Sequence, residues 1–171
     1  MQKLLFVLFL IIISSCTEKK LMNQIIYDQK ANSDILVGFT NLDGLKKAPF
    51  DTWYQTEHDS YQPDIVTLNQ MDKQNFGSKF KISIVMGTWC SDSQREVPRW
   101  IKILETLDYP INSIEIINVD TQKLAKGTNV SELNITKIPS FIISKQKQEI
   151  GRIIESPEFS LEKDLAKILN K

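Results

Sequence analysis

Thr88-Trp89-Cys90-Ser91-Asp92-Ser93 joins two segments of different periodicity, and that junction constrains the fold more than any other feature. Upstream, Phe80-Lys81-Ile82-Ser83-Ile84-Val85-Met86 alternates and is β-branched, which predicts a buried or half-buried strand. Downstream, Val97, Trp100, Ile101 and Leu104 recur at i, i+3, i+4 and i+7, predicting an amphipathic helix over about 91–107. Cys90 therefore falls at a helix N-terminus, where free N–H groups and the positive end of the helix dipole favour a thiolate. A thiolate attacks disulfides or binds soft metals, so the junction presents one reactive sulfur.

The chain has 171 residues, enough for one domain with an extension. Lys+Arg 21 balance Asp+Glu 21, so there is no electrostatic footprint for nucleic acid. The N-terminus is distinctive: Lys3 precedes ten apolar residues, Leu4 through Ile13, followed by Ser14-Ser15-Cys16. At 1.5 Å per residue that run is too short for a hydrocarbon core of about 30 Å, and it fits the apolar region of a secretory signal. Ile13-Ser14-Ser15-Cys16 resembles the lipobox of bacterial lipoproteins, which implies cleavage before Cys16, lipidation of its sulfur and an extracytoplasmic, membrane-anchored protein. Residues 1–15 are then a signal peptide and 16–32 a polar tether. A lipidated Cys16 leaves Cys90 as the one free thiol of the mature chain.

Residues 33–62 read as an N-terminal extension containing a candidate strand, Ile35-Leu36-Val37-Gly38-Phe39, and the aromatics Phe50, Trp53, Tyr54 and Tyr61, which suit the edge of a core. From 63 to 171, Asp64 caps a helix carrying Ile65, Leu68 and Met71, with Gly77-Ser78 ending it. The strand 80–86 and the helix 91–107 follow. A second strand spans about 114–119, a short helical piece with Leu124 stops at Gly127, and another is expected at Val130–Leu133. Ser140-Phe141-Ile142-Ile143-Ser144 and residues 149–154 form a hairpin across Lys145-Gln146-Lys147-Gln148. Ser160 caps a last helix with Leu161, Leu165, Ile168 and Leu169 on one face. The order βαβα then ββα requires a mixed α/β sheet with helices on both faces.

That order, with Trp89-Cys90 after the first of these strands and Ile138-Pro139 before the third, resembles the thioredoxin-like superfamily over roughly 63–171. Trp89-Cys90-Ser91-Asp92-Ser93 matches its W-C-x-x-C motif, except that Ser93 replaces the second cysteine. The longer string Gly87 to Arg99 resembles membrane-attached thioredoxin-like proteins of Gram-negative bacteria, in which the serine form recurs. The resemblance implies Cys90 as the nucleophile, a cis bond at Pro139, Ile138 as a backbone contact to substrate, and Trp89 beside the sulfur. It also implies a buried acid six residues before the cysteine, where this chain has Ile84.

Ser93 cannot close an internal disulfide, but it can donate a hydrogen bond to a Cys90 thiolate. Resolution of a mixed disulfide then needs an external thiol protein or small thiol. Partners are accordingly protein or small-molecule thiols and disulfides, together with the membrane. Asp92 and Arg95 are candidate tuning charges, and solvated helix charges are the alternative. His58, the single histidine, reads as a packing or surface residue rather than a base for Cys90. One thiol and one histidine supply no metal site, and no cofactor is expected. Asn129 and Asn134 begin glycosylation-like triplets without meaning in a bacterial lipoprotein. Two other functions stay open: a redox-inactive binding module, and a peroxiredoxin-like peroxidase suggested by Thr88, although Met86 replaces that motif's proline.

Overall fold

The computed structural model describes residues 21–71 and 76–170. The expected signal peptide, Cys16 and the first part of the tether lie outside the described residues. In chain order the elements are β1 (Gln24–Asp28), β2 (Ser33–Thr40), α1 (Leu42–Leu45), α2 (Asp51–Ser60), α3 (Ile65–Asn69), α4 (Phe76–Lys79), β3 (Phe80–Met86), α5 (Ser91–Thr106), β4 (Glu115–Asn118), β5 (Ser140–Lys145), β6 (Gln148–Ile154) and α6 (Leu161–Leu169). Short 3₁₀ helices occupy Ile111–Ser113 and Val130–Leu133.

The strands form one six-stranded sheet in the order β1-β2-β4-β3-β5-β6. The β3–β4 pair is parallel, with Ile84 opposite Ile116, and α5 supplies its crossover. All the other pairs are antiparallel. The β5–β6 hairpin turns at Gln146 and Lys147, both at positive φ (51° and 67°), the backbone of a two-residue primed turn. The sheet is thus mixed and covered on both faces.

One face carries the main core. The fully buried stripe Val97, Trp100, Ile101 and Leu104 of α5 lies over Ile82, Ile84 and Met86 of β3, with Trp100 and Phe141 rings 4.8 Å apart. Helices α2 and α6 complete that layer through Tyr54, Leu161, Leu165 and Ile168. The opposite face packs Val85, Ile117, Val119 and Ile142 against Ala125, Val130 and Ile138 of the 120–138 segment, which includes the second 3₁₀ helix. Burial of each large aliphatic side chain contributes about 1.5–3 kcal/mol, so α5 is fixed mainly by its stripe.

Several boundaries differ from the sequence-based expectation. Residues 24–28, expected within the tether, form β1, because Gln24–Asp28 pairs in antiparallel register with Val37–Ser33. Residues 33–62 are integrated into the same layers as the rest: β2 pairs with β4, and α2 packs along α5. Asp64 caps α3 as expected, its side chain accepting from Thr67 N–H, but Ile65 faces solvent while Leu68 is buried. Gly77 and Ser78 sit inside α4 rather than ending a helix. The helix expected around Leu124 is a series of turns, because Asp120 Oδ1 takes the N–H groups of Gln122 and Leu124 and holds the chain non-helical.

Candidate functional site

Cys90 is the N-cap of α5. Its carbonyl accepts the first helical bond from Gln94 N–H at 2.9 Å, and its own N–H turns back to Gly87 O at 3.0 Å. The side chain is half-buried and free, with Sγ 3.7 Å from the Ile138 carbonyl oxygen. The Ile138–Pro139 peptide is cis, as is Ala48–Pro49. Cysteine, Ile138 and Pro139 are therefore neighbours although 48 residues separate Cys90 from Ile138.

Trp89 lies across Gly87 and against the lesser core cluster, and its Nε1 donates to Val119 O at 2.9 Å. The loop before the cysteine is pinned at two further points. Thr88 Oγ1 accepts from Leu36 N–H of β2 at 3.1 Å, and Gln94 Nε2 donates to Thr88 O at 2.6 Å. The Thr88 hydroxyl, the one feature suggesting a peroxidatic threonine, is thus engaged in joining β2 to the loop before Cys90.

Ser93 is fully buried, and its hydrogen bond is not to the sulfur: Oγ accepts from Gly87 N–H at 3.3 Å. The buried backbone donor beyond β3 needs an acceptor, and Ser93 supplies it. Asp92 and Arg95 are brought together, with Nη2 2.7 Å from Oδ1. Arg95 also pairs with the buried Glu96 at 2.6 Å, and these two carboxylates, Glu96 foremost, hold its guanidinium pKa above the ordinary value. His58 stands elsewhere. It binds Glu105 near the far end of α5, 15 residues and about 22 Å along the helix from Cys90, and stacks on Tyr54.

A cleft of about 300 Å³ opens between α2 and the first turn of α5, lined by Trp53, Thr56 and Glu57 on one side and Ser91, Gln94 and Arg95 on the other. The extension therefore builds one wall beside the cysteine. The aromatic Trp53 and the Glu57–Arg99 pair (2.6 Å) are the sequence signals, but neither specifies which helix they meet. Below them, burial and a hydrogen bond to Glu162 push the Tyr61 phenol pKa upward and keep it a neutral donor. Among the described residues no group of His, Cys, Asp and Glu could hold a metal ion.

A cysteine capping the helix after a central strand, beside a cis-proline that enters the antiparallel neighbour, defines a thioredoxin-like protein. A thioredoxin-like protein of Acanthamoeba polyphaga mimivirus is 30% identical over 105 residues, covering 60% of this chain and 73% of that protein. The chain belongs to the thioredoxin-like family. No family model matches it. Similar solved structures include a protein of unknown function from Pseudomonas aeruginosa (TM-score 0.44, 15% identity, 69% of this chain and 80% of that one). An HIV epitope scaffold is also similar (TM-score 0.41, 15% identity, 68% and 70%).

Proposed function

We propose that this is a membrane-anchored thioredoxin-like protein that carries out thiol–disulfide exchange through Cys90 alone. The observation that carries the reading is the placement of a free, half-buried thiol at the N-cap of α5, with its sulfur 3.7 Å from the carbonyl preceding cis-Pro139. The loop pinned by Trp89, Thr88 and Gln94 holds the sulfur in place.

In the proposed step, the Cys90 thiolate attacks one sulfur of a partner disulfide. The Cys90–sulfur bond forms, the partner's S–S bond breaks, and the second partner sulfur leaves as a thiolate that takes a proton from water. With Ser93 in place of a second cysteine, release requires a thiolate from outside the chain, which attacks the mixed disulfide and frees Cys90. The net reaction is exchange, with no change in the number of disulfides. The lipid anchor on Cys16 rests on the lipobox-like sequence. No helix among the described residues is long and apolar enough to cross a membrane.

The test uses the mature chain with Cys16→Ser. Incubation with oxidised glutathione yields a mixed disulfide at Cys90, read by mass, and iodoacetamide prevents it. Cys90→Ser yields none. A Cys90 that resists both reagents in the folded protein overturns the redox reading in favour of a binding module, and rapid consumption of hydrogen peroxide overturns it in favour of a peroxidase.

A further inference from the structure

Five of the ten large hydrophobic residues exposed among the described residues fall within seven positions: Leu21 (69%), Met22, Ile25 (52%), Ile26 and Tyr27 (60%). They belong to β1 and its approach, and β1 is an edge strand. Isolated exposed apolar side chains are ordinary, but a contiguous group on an unpaired edge marks a contact surface. Ile25 and Tyr27 point to one side of the sheet and Ile26 to the other, so the strand is bare on both faces.

The chain path relates this strand to the active end. β1 is antiparallel to β2, β2 is antiparallel to β4, and β4 is parallel to β3, so β1 runs in the direction of β3. Its last residue, Asp28, reaches the end where Cys90 stands, as its bonds to Thr121 show. Leu21 and Met22 consequently lie at the opposite end, about 20 Å down the sheet. Four residues lie between Cys16 and Leu21, a span of at most about 18 Å. They include Lys19 and Lys20, with Glu18 offsetting one of the two charges.

We propose that the occupant of this surface is the lipid bilayer: β1 enters the headgroup layer edge-on, which holds β3 and the Cys90 that follows it three strands away from the lipid, on the aqueous side. This inference rests on the anchoring half of the proposed function. An edge-on approach covers side chains from both faces of β1, whereas strand pairing with a second copy would engage chiefly its backbone. In the headgroup layer, water and polar groups satisfy the free N–H and C=O groups of the edge, which the hydrocarbon core could not do. Tyr27, with an apolar ring and a polar tip, suits that depth. The short connection from Cys16 leaves the patch no distant place to go.

The experiment separates the surface from the anchor. Acyl-free mature chain (Cys16→Ser) is floated with vesicles of phosphatidylethanolamine and phosphatidylglycerol. The expected result is a monomer that floats with vesicles and whose bound fraction falls at least about tenfold in Ile25→Glu/Ile26→Glu, with unchanged circular dichroism. Ile25→Ser/Ile26→Ser gives the same direction should the charged pair fail to fold. No flotation, equal flotation of the variants, or a dimer abolished by them overturns the proposal, the last in favour of a second copy. The anchor is read independently from the mass of full-length protein extracted from cells. Flotation without lipid mass sinks the anchor and leaves the β1 surface standing, and lipid mass without flotation does the reverse.

Discussion

The Cys90 thiol faces the Ile138 carbonyl at 3.7 Å, while Ser93, one turn further along α5, directs Oγ to Gly87 N–H at 3.3 Å. The two side chains of the Cys-x-x-Ser motif therefore have separate partners. On the proposed reading, Ser93 serves the sulfur only through the backbone that carries it, as a positioning residue. Ser93→Ala leaves a buried N–H without its acceptor, at a cost of about 1–3 kcal/mol. Urea unfolding should show that loss, while the folded variant keeps iodoacetamide reactivity at Cys90. Complete loss of reactivity without loss of stability would return Ser93 to a direct role on the sulfur.

The same spacing decides what a second cysteine would do. Residues three apart in the first turn of a helix stand about 5–6 Å apart at Cβ, near the range that a disulfide bridges. Ser93→Cys should oxidise to an intramolecular disulfide between Cys90 and the introduced thiol, visible as protection of both sulfurs from alkylation and a mass two hydrogens lower. It should also gain dithiol reductase turnover. Persistent alkylation of both thiols under oxidising conditions would show that the turn holds the sulfurs apart.

The elements legible from the sequence are those with one strong period and a cap: the 80–86 strand, the α5 stripe, the final hairpin and α6 with Ser160 accepting from Lys163 N–H. β1 is not legible because Gln24-Ile25-Ile26-Tyr27-Asp28 is short and exposed on both faces, so it has neither alternation nor burial to advertise it. The 33–62 region resists assignment because its aromatics reveal that they pack but not against what, and α2 meets α5 through contacts such as His58–Glu105 and Glu57–Arg99, more than 40 residues apart. Around Leu124 the apolar spacing suggests a helix, and a single carboxylate, Asp120, overrides it. At the site, Cys90, Ile138 and Pro139 converge as expected, whereas the partner of Ser93 depends on where β3 ends and is not written in the spacing.

Gly87 is required by close approach. A β carbon there would stand 2.6 Å from Trp89 Nε1, 2.8 Å from Cε2 and 2.9 Å from Ile138 Cδ1. Gly87→Ala must displace the indole, breaking its bond to Val119 O, or shift the loop before Pro139. A loss of about 1–3 kcal/mol is expected from overpacking. Because both displaced groups border Cys90, the rate of Cys90 alkylation should change as well. Denaturant titration checks the first and timed iodoacetamide labelling the second. Combining the change with Trp89→Phe, which removes the clashing edge of the ring, should recover part of the stability.

Asn118 on β4 is fully buried, and neither amide atom meets a protein partner among the described residues; Thr40 Oγ1 on β2 is in the same position. The register places Asn118 opposite Gly38 and Thr40 opposite Ile116, so both side chains lie toward the α5 layer, next to each other along the diagonal. Gly38 is buried at φ +86°, and a β carbon on it would meet nothing within 4 Å. Buried amides are almost always hydrogen-bonded, and a polar site with adjoining room takes water. A crystal structure should show an ordered water held by the Asn118 amide, and Asn118→Leu should remove it. A dry, unpaired amide in a well-resolved map would contradict this account.

Asp28 ties the β1–β2 hairpin to the Cys90 end of the sheet. Its carboxylate accepts from Ala31 N–H (2.9 Å), Lys30 N–H (2.8 Å) and Thr121 Oγ1 (2.9 Å), and these bonds, Ala31 first, hold its pKa below the ordinary 3.8. A carboxyl group whose pKa is depressed by folding adds stability that is present above its unfolded value and is lost as pH falls through the folded one. The link is therefore intact at neutral pH and fails only in acid below about pH 4. Following the Thr121 and Ala31 amide resonances from neutral pH downward should show both moving together in that range. Asp28→Asn keeps an acceptor oxygen but removes the titrating charge, so the same resonances should stay level. A transition that survives in Asp28→Asn would place the acid-sensitive group elsewhere.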